Sequence, residues 1–232
     1  MKPLKVLIIF LSLAVSFWAY PFLPAQIPSH WNLYGQIDGY LPKSIGAWLL
    51  PGLNLVLLVL FNLLPRLDPF QKKYRRFARE WEIIQFIFIV FFTYLHFLTF
   101  YFAFYPQAEF TRFMFPGLGL FFILLGNYLS KIQRNTLVGF KLPWTLADKE
   151  NWRKTHLYAA WSLVIAGLAI FLESFLNLLP PAMIFAFLMA AFLLPCLYSF
   201  LLFKKTVHQM KFVYLFLAVL FILAVFWEKL FL

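Results

Sequence analysis

Charge is scarce in this chain: Asp, Glu, Lys and Arg make up 12% of its 232 residues, against 63% hydrophobic residues and a mean hydropathy of +0.81. A soluble domain of this length has no interior large enough for so much apolar surface. The shortage of charge therefore excludes a soluble fold and requires lipid as the solvent. Acidic residues are scarcer still, nine against 20 Lys and Arg. A net charge of +11 would suggest nucleic acid in a soluble protein. Here its placement along the chain decides its meaning, and no direct nucleic-acid contact is expected. One cysteine is present, Cys196, beside Pro195 in an apolar run. It can form no internal disulfide and has no second thiol with which to share a metal, so it is read as a packing residue. The His-Glu-x-x-His, Gly-x-Ser-x-Gly and glycine-rich phosphate-loop patterns are all missing, and none of His30, His96, His156 or His208 has a histidine four residues away. No catalytic site, metal or cofactor is expected, and an enzyme is disfavoured.

What the chain has instead is long apolar runs. They fall at Val6 to Leu23, Ala47 to Leu64, Ile83 to Tyr105, Phe113 to Ser130, Leu157 to Leu179, Ala182 to Phe203 and Phe212 to Trp227. Each approaches the roughly 20 residues that a helix needs to cross a bilayer, so the expectation is an all-α membrane protein, a polytopic bundle of about seven transmembrane helices. A transmembrane barrel would need alternating segments, and Phe86 to Phe92 does not alternate. The first run, with Lys2 and Lys5 ahead of it, resembles a signal peptide but is read as a retained span. Lys and Arg near span ends stay in the cytoplasm. With the N-terminus inside, every basic residue except Lys43, Arg112 and Lys229 falls on the inner side. The expected organisation is a single transmembrane domain over residues 1–232, with halves at 1–112 and 113–232. Pro180-Pro181 should mark a short external turn, and bends are expected at Pro51, Pro116 and Pro195.

Three loops carry information. The external loop from Pro24 to Lys43 contains His30, Trp31, Asn32, Gly35, Asp38, Gly39 and Tyr40. Its turn formers, above all Asp38-Gly39, predict a compact segment. It reads either as a ligand-facing lid using His30, Trp31 and Asp38, or as an interfacial plug with Trp31 and Tyr40 among headgroups and Asp38 near Lys43. In the first internal loop, Asp68-Pro69 should start a helix whose Phe70, Tyr74, Phe77 and Trp81 share one face. That helix is expected to lie in the inner interface, aromatics in lipid and Lys72, Lys73, Arg75, Arg76 and Arg79 on anionic headgroups, or to dock a cytosolic protein. The second internal loop contains Asn127, Lys131, Arg134, Asn135, Gly139, Lys141, Pro143, Trp144, Thr145, Asp148, Trp152, Thr155 and His156. Thr145 and Asp148 have capping-box spacing, predicting a helix from Leu146 into the fifth span with Trp152 and His156 on one face. Gly139 and Pro143 require an ordered turn before it. Headgroup anchoring and a specific functional surface both account for its residues.

Polar groups inside the spans stand out. His96 lies about 20 Å from the inner end of its span at about 1.5 Å per residue, beyond the bilayer centre. Asn54 arrives at a similar depth and could bond to it, and Asn62 and Asn127 are matched near the inner face. Glu173, the one acid in a span interior, is expected to be neutral unless Arg112 or Lys43 reaches it. Asn54, His96 and Glu173 are candidates for lining an outward-opening polar cavity; ordinary interhelical bonding is the alternative.

Two ordered stretches resemble the SdpI family. Pro28-x-His30-Trp31-Asn32-x-x-Gly35-x-x-Asp38-Gly39-Tyr40 is similar to its N-terminal signature. Gly126-Asn127, Arg134-Asn135, Gly139, Pro143-Trp144-Thr145-Leu146 and Trp152-Arg153-x-Thr155-His156 are similar to its C-terminal signature. Lys141-Leu142 stands where the family pattern has Arg-Thr, and the span after Phe203 is an addition. The resemblance implies a bacterial multi-span protein giving immunity to a secreted antimicrobial peptide and signalling its presence by drawing a cytosolic repressor to the membrane. On that reading the outer loop meets the toxin and the inner surface around Arg134 to Trp152 reports it. A small-solute or ion transporter is the rival reading, with a membrane scaffold behind it.

Overall fold

The computed structural model describes residues 1–32, 34–68 and 74–206. Seven helices and one hairpin make up the described chain: α1 (Lys2–Ala19), β1 (Gln26–Trp31), β2 (Ile37–Pro42), α2 (Lys43–Leu67), α3 (Ala78–Phe104), α4 (Phe110–Leu129), α5 (Pro143–Ala147), α6 (Lys149–Leu176) and α7 (Pro181–Thr206). A 3₁₀ turn, Arg75–Phe77, leads into α3. Six helices, all but the five-residue α5, are long and apolar enough to cross a bilayer. The expected seventh run, Phe212 to Trp227, lies outside the described residues, as do Phe70, Lys72, Lys73, His208, Lys211 and Lys229.

Burial is inverted relative to a soluble protein. Phe10, Phe17, Trp161 and Ile165 are each more than 60% exposed, while Ser12, Ser16, Asn54, His96, Thr155 and His156 are fully buried. Apolar side chains facing outward are at home only in hydrocarbon, and a polar group inside carries a desolvation cost unless it finds a partner within the bundle.

Helix α3 is the hinge of the packing, touching α1 and α2 on one side and α4 on the other; α6 then packs on both α4 and α7. The α4–α6 contact is backbone against backbone. A Cβ added at Gly119 would stand 2.7 Å from the Gly167 carbonyl oxygen, one at Gly167 2.7 Å from that of Gly119, and one at Gly126 2.8 Å from that of Ala160. Small residues let two spans approach this closely, which is how helices associate when lipid supplies no hydrophobic drive. Pro51, Pro116 and Pro195 all lie within helices.

Span ends follow the charge pattern. Short connections make successive spans alternate in direction, so Lys2, Arg66, Arg79, Lys131, Lys149 and Lys204 gather at one end, the inner one by charge asymmetry. That end is stitched together by the N-terminal ammonium 4.0 Å from Glu82 and by buried Lys5, which donates to Gln85 Oε1 at 2.5 Å. At the outer end, α6 stops at Asn177, whose left-handed backbone (φ 49°) starts the turn into Pro181.

Candidate functional site

The outer loop is a β-hairpin, an element the expected all-α pattern did not include. Its turn lies at Asn32–Gln36, not at Asp38-Gly39. Asn32 Oδ1 accepts from the backbone N–H groups of Tyr34 (2.9 Å) and Gln36 (3.0 Å), and Gly35 takes φ +77°. An Asn side chain that mimics a turn carbonyl outcompetes the Asp-Gly signal. Asp38 and Gly39 sit in β2, Gly39 opposite His30. A Cβ at Gly39 would come 2.9 Å from that of His30, so the glycine leaves room for the His30 ring to reach Asp38 Oδ1 at 2.5 Å. Asp38 therefore pairs with His30 and not with Lys43, whose ammonium instead donates to the Tyr20 and Leu23 carbonyls at 3.3 Å each. Trp31 turns inward, 5.1 Å from the Phe110 ring and 5.5 Å from Phe102, while Tyr40 is half exposed.

Behind His30, Trp31, Asn32 and Asp38 lies a groove of about 640 Å³. Phe110, Met114 and Leu118 of α4 form one wall, and Ile184, Phe185 and Leu188 of α7 the other. A polar rim over an apolar trough can hold a molecule with one face of each kind.

The inner loop is fixed by its own polar side chains. Asn135, fully buried, accepts from the N–H groups of Leu137 (2.8 Å) and Val138 (2.7 Å) and donates to the carbonyls of Gln133 (2.9 Å) and Val138 (3.2 Å). Gly139 adopts φ +106°, and a Cβ there would fall on the His156 ring. His156 Nε2 accepts from the Phe140 N–H at 3.1 Å, while Nδ1 lies 2.8 Å from the Trp152 carbonyl. One nitrogen faces a donor and the other an acceptor, so both ring nitrogens are satisfied in the neutral Nδ1–H tautomer. Trp152 stacks on it at 4.0 Å and donates to the Ile132 carbonyl at 2.9 Å. Arg134 donates to the Ala147 carbonyl at 2.9 Å, and Lys141 is exposed.

Helix α6 begins later than its spacing predicts. Thr145 does not cap it; its hydroxyl accepts from the Leu142 N–H at 2.9 Å and lies 2.7 Å from the Phe140 carbonyl, closing the short α5. Asp148, in extended backbone, is the cap, accepting from the Glu150 N–H at 2.9 Å. Trp144 donates to Ser199 Oγ at 2.8 Å; Ser199 donates to Asn151 Oδ1 at 2.7 Å, and Thr155 donates there at 3.0 Å. This chain joins α5, α6 and α7.

The first internal loop reverses the expected partition. Tyr74, Phe77 and Trp81 share a face, but that face is buried in protein (6%, 1% and 5% exposed), not in lipid. The reason is polar. The Tyr74 hydroxyl donates towards Asp68 Oδ2 (3.1 Å) and Asn135 Oδ1 (3.3 Å), and the same Asp68 oxygen accepts from the Thr136 N–H at 3.0 Å. Burial first, then the neighbouring Asp68 carboxylate, push the Tyr74 hydroxyl above its ordinary range, so it remains a donor at any physiological pH. Asp68, Tyr74, Asn151 and Ser199 are thus site residues that sequence reasoning missed. An acid and a tyrosine six apart beside a basic stretch were the available signal.

The intramembrane candidates do not converge. Asn54 donates to Thr93 Oγ1 (3.0 Å) and the Ile89 carbonyl (3.3 Å), not to His96. His96 Nε2 lies 3.1 Å from Ser16 Oγ, which donates to the Ala47 carbonyl at 2.8 Å, so the imidazole is the donor to Ser16. Ser12 Oγ, Asn54 Oδ1 and His96 Nδ1 are buried with no hydrogen-bond partner among the described residues. Glu173 is met by neither Arg112 nor Lys43; its Oε1 accepts from the Leu179 N–H at 2.6 Å and fixes the α6–α7 turn. Asn62 bonds back to its own helix at the Leu58 carbonyl (2.6 Å), and Asn127 is exposed, so that pair does not form.

Comparison with known proteins matches both ends of this geometry. Residues 7–55, with the hairpin and Asn54, match a family model described as a domain of unknown function, DUF1648. Residues 131–199, from the inner loop to Ser199, match the model of the SdpI/YfhL protein family. Among curated proteins, the Immunity protein SdpI of Bacillus subtilis (strain 168) is 24% identical over 172 residues, which are 74% of this chain and 80% of that one. No solved structure matches the chain at a significant level. A hairpin-bearing first region, an inner loop locked by Asn135, Gly139 and His156, and six membrane-crossing helices around them describe a multi-pass membrane protein that is similar, over residues 131–199, to the SdpI/YfhL protein family.

Proposed function

We propose that the chain is an immunity protein of a bacterial cytoplasmic membrane, which intercepts a secreted, membrane-active peptide in its outer groove and reports occupancy to a cytosolic regulator at its inner face. The observation that carries this reading is the groove itself. It faces outward, is apolar within and polar at the rim, and is shared between the hairpin, α4 and α7. An amphipathic peptide presents the same division of faces. The name of the Bacillus relative supports the class of function. No chemistry on the peptide is required: sequestration before it reaches the lipid protects the cell, and the His30–Asp38 pair supplies the polar contact.

The test is expression in cells sensitive to such a peptide. The chain should raise survival on challenge. Leu118→Trp or Ile184→Trp, which fill the groove, should abolish protection at unchanged membrane abundance. Full protection by both filled variants would overturn the assignment of the groove.

A transporter reading draws on one specific observation, the buried unpartnered polar atoms of Ser12, Asn54 and His96. Solute flux in liposomes without any peptide, lost in His96→Leu, would favour it over immunity.

A further inference from the structure

At the inner end, five cationic residues from three parts of the chain converge on one cavity of about 400 Å³: Arg76 before α3, Lys131 and Arg134 in the inner loop, and Lys149 and Arg153 at the start of α6. Among the described residues, no acidic one lines it. Charge segregation across a bilayer asks only that cations lie on the inner side; it does not ask them to share a concavity, where their mutual repulsion opposes folding. Glu150 relieves part of that repulsion, binding Arg153 with two hydrogen bonds (3.0 and 2.7 Å) and lying 3.5 Å from Lys154. Arg76, Lys131 and Lys149 are left facing the cavity and are exposed, with Lys131 held over the Tyr128 ring at 4.6 Å.

The depth of this cavity identifies its occupant. Helix α6 has 28 residues, about 42 Å at about 1.5 Å per residue, against a hydrocarbon core of about 30 Å. Its outer end is committed to the Pro180-Pro181 turn, so its first two turns, from Lys149 to His156, stand in the headgroup layer. The floor of the cavity is Ile132 and the buried Trp152. A concave basic site between span ends at headgroup depth suits a lipid phosphate, and several cations suit a headgroup with more than one.

We propose that this cavity is a binding site for the headgroup of a diphosphate-bearing anionic phospholipid, its phosphates held by Arg76, Lys131 and Lys149 and by the positioned Arg134. The site is distinct from the outer groove and does not depend on what the groove binds. Inorganic phosphate or pyrophosphate offers the same chemistry from the cytosol, and the experiment separates the two sources.

Full-length protein is placed in nanodiscs of zwitterionic lipid alone or with a minor fraction of cardiolipin, and retained lipid is counted by native mass spectrometry. The cavity variant is Arg76→Gln/Lys131→Gln/Lys149→Gln. The control, Arg66→Gln/Arg79→Gln/Lys204→Gln, removes the same charge from exposed positions on the same face outside the cavity. Each cation near an anionic surface is worth about fivefold in affinity, so the cavity variant should bind roughly a hundredfold more weakly. The control should keep one tightly bound cardiolipin. Equal loss in both variants would mean diffuse attraction and would overturn the site. Pyrophosphate displacing cardiolipin from the wild type at micromolar concentration would overturn the lipid as its ligand. Because all six substituted residues are exposed, and neutralising clustered cations can only relieve their repulsion, both variants are expected to unfold in zwitterionic discs at a temperature no lower than the wild type, which shows that they fold.

Discussion

Breaking the Tyr74–Asp68 hydrogen bond, which holds the first inner loop in the shape that meets the second, should cost a defined amount of stability. The Asp68 carboxylate, 2% exposed, accepts from Tyr74 at 3.1 Å and from the Thr136 N–H at 3.0 Å. Hydrogen bonds to a charged acceptor contribute about 1.5–3 kcal/mol each when buried. Tyr74→Phe removes one of them together with the hydroxyl's own desolvation, so its net cost should be about 1–2 kcal/mol. Asp68→Ala leaves the Thr136 N–H unpaired and the Tyr74 hydroxyl with Asn135 alone, and should cost about 3 kcal/mol. Both changes act on the same bond, so the double variant should cost about 1–2 kcal/mol less than the sum of the singles. The assay is equilibrium unfolding in mixed micelles of rising denaturing-detergent fraction, read by tryptophan fluorescence. A coupling below about 0.5 kcal/mol would refute the Tyr74–Asp68 bond, because independent sites add to within that margin.

Gly139→Ala should destabilise by about 2 kcal/mol or more, combining left-handed strain with a collision on the His156 ring, measured by the same unfolding titration. His156→Ala is itself destabilising, since it leaves the Phe140 N–H unpaired, but in a double-mutant cycle the cost of Gly139→Ala should shrink in that background to the backbone strain alone. Gly119→Leu or Gly167→Leu should force α4 and α6 apart and lower the yield of folded protein, read as loss of the monodisperse peak in size exclusion. Asp38→Asn should change stability by less than about 1 kcal/mol, since the His30–Asp38 pair is exposed (71% and 42%), yet reduce protection against the peptide.

The six described spans were legible because crossing a bilayer is a local demand on length and hydropathy, satisfied run by run. That Trp152 and His156 share a face was legible for a similar reason, being four residues apart on one helix; that they stack came from the structure. The hairpin was not. Pro28, Gly35, Gly39 and Pro42 all weaken a strand reading, and two turn signals competed; the pairing is held by contacts to α2 and α3 that no local pattern records. The aromatic face of Tyr74, Phe77 and Trp81 had the right period but the wrong solvent, because what draws it inward is Asp68 and Asn135, the latter 61 residues away. Likewise, Asn54 and His96 match in depth but lie on different neighbours: the donor to Thr93 and the donor to Ser16 are set by helix rotation, which depth does not fix.

The glycine contact between α4 and α6 constrains how news of an event outside could travel inward. At Gly119, Gly126 and Gly167 the two backbones touch with no side chain between them, so a slide or rotation would drive backbone into backbone. They must therefore travel as one solid bar, from the aromatic trough at Phe110 to the cationic bowl at Lys149. A tilt of a few degrees at one tip becomes an opposite swing at the other, and the compliance that permits it has to reside in the softer seams that α3 and α7 make with the bar.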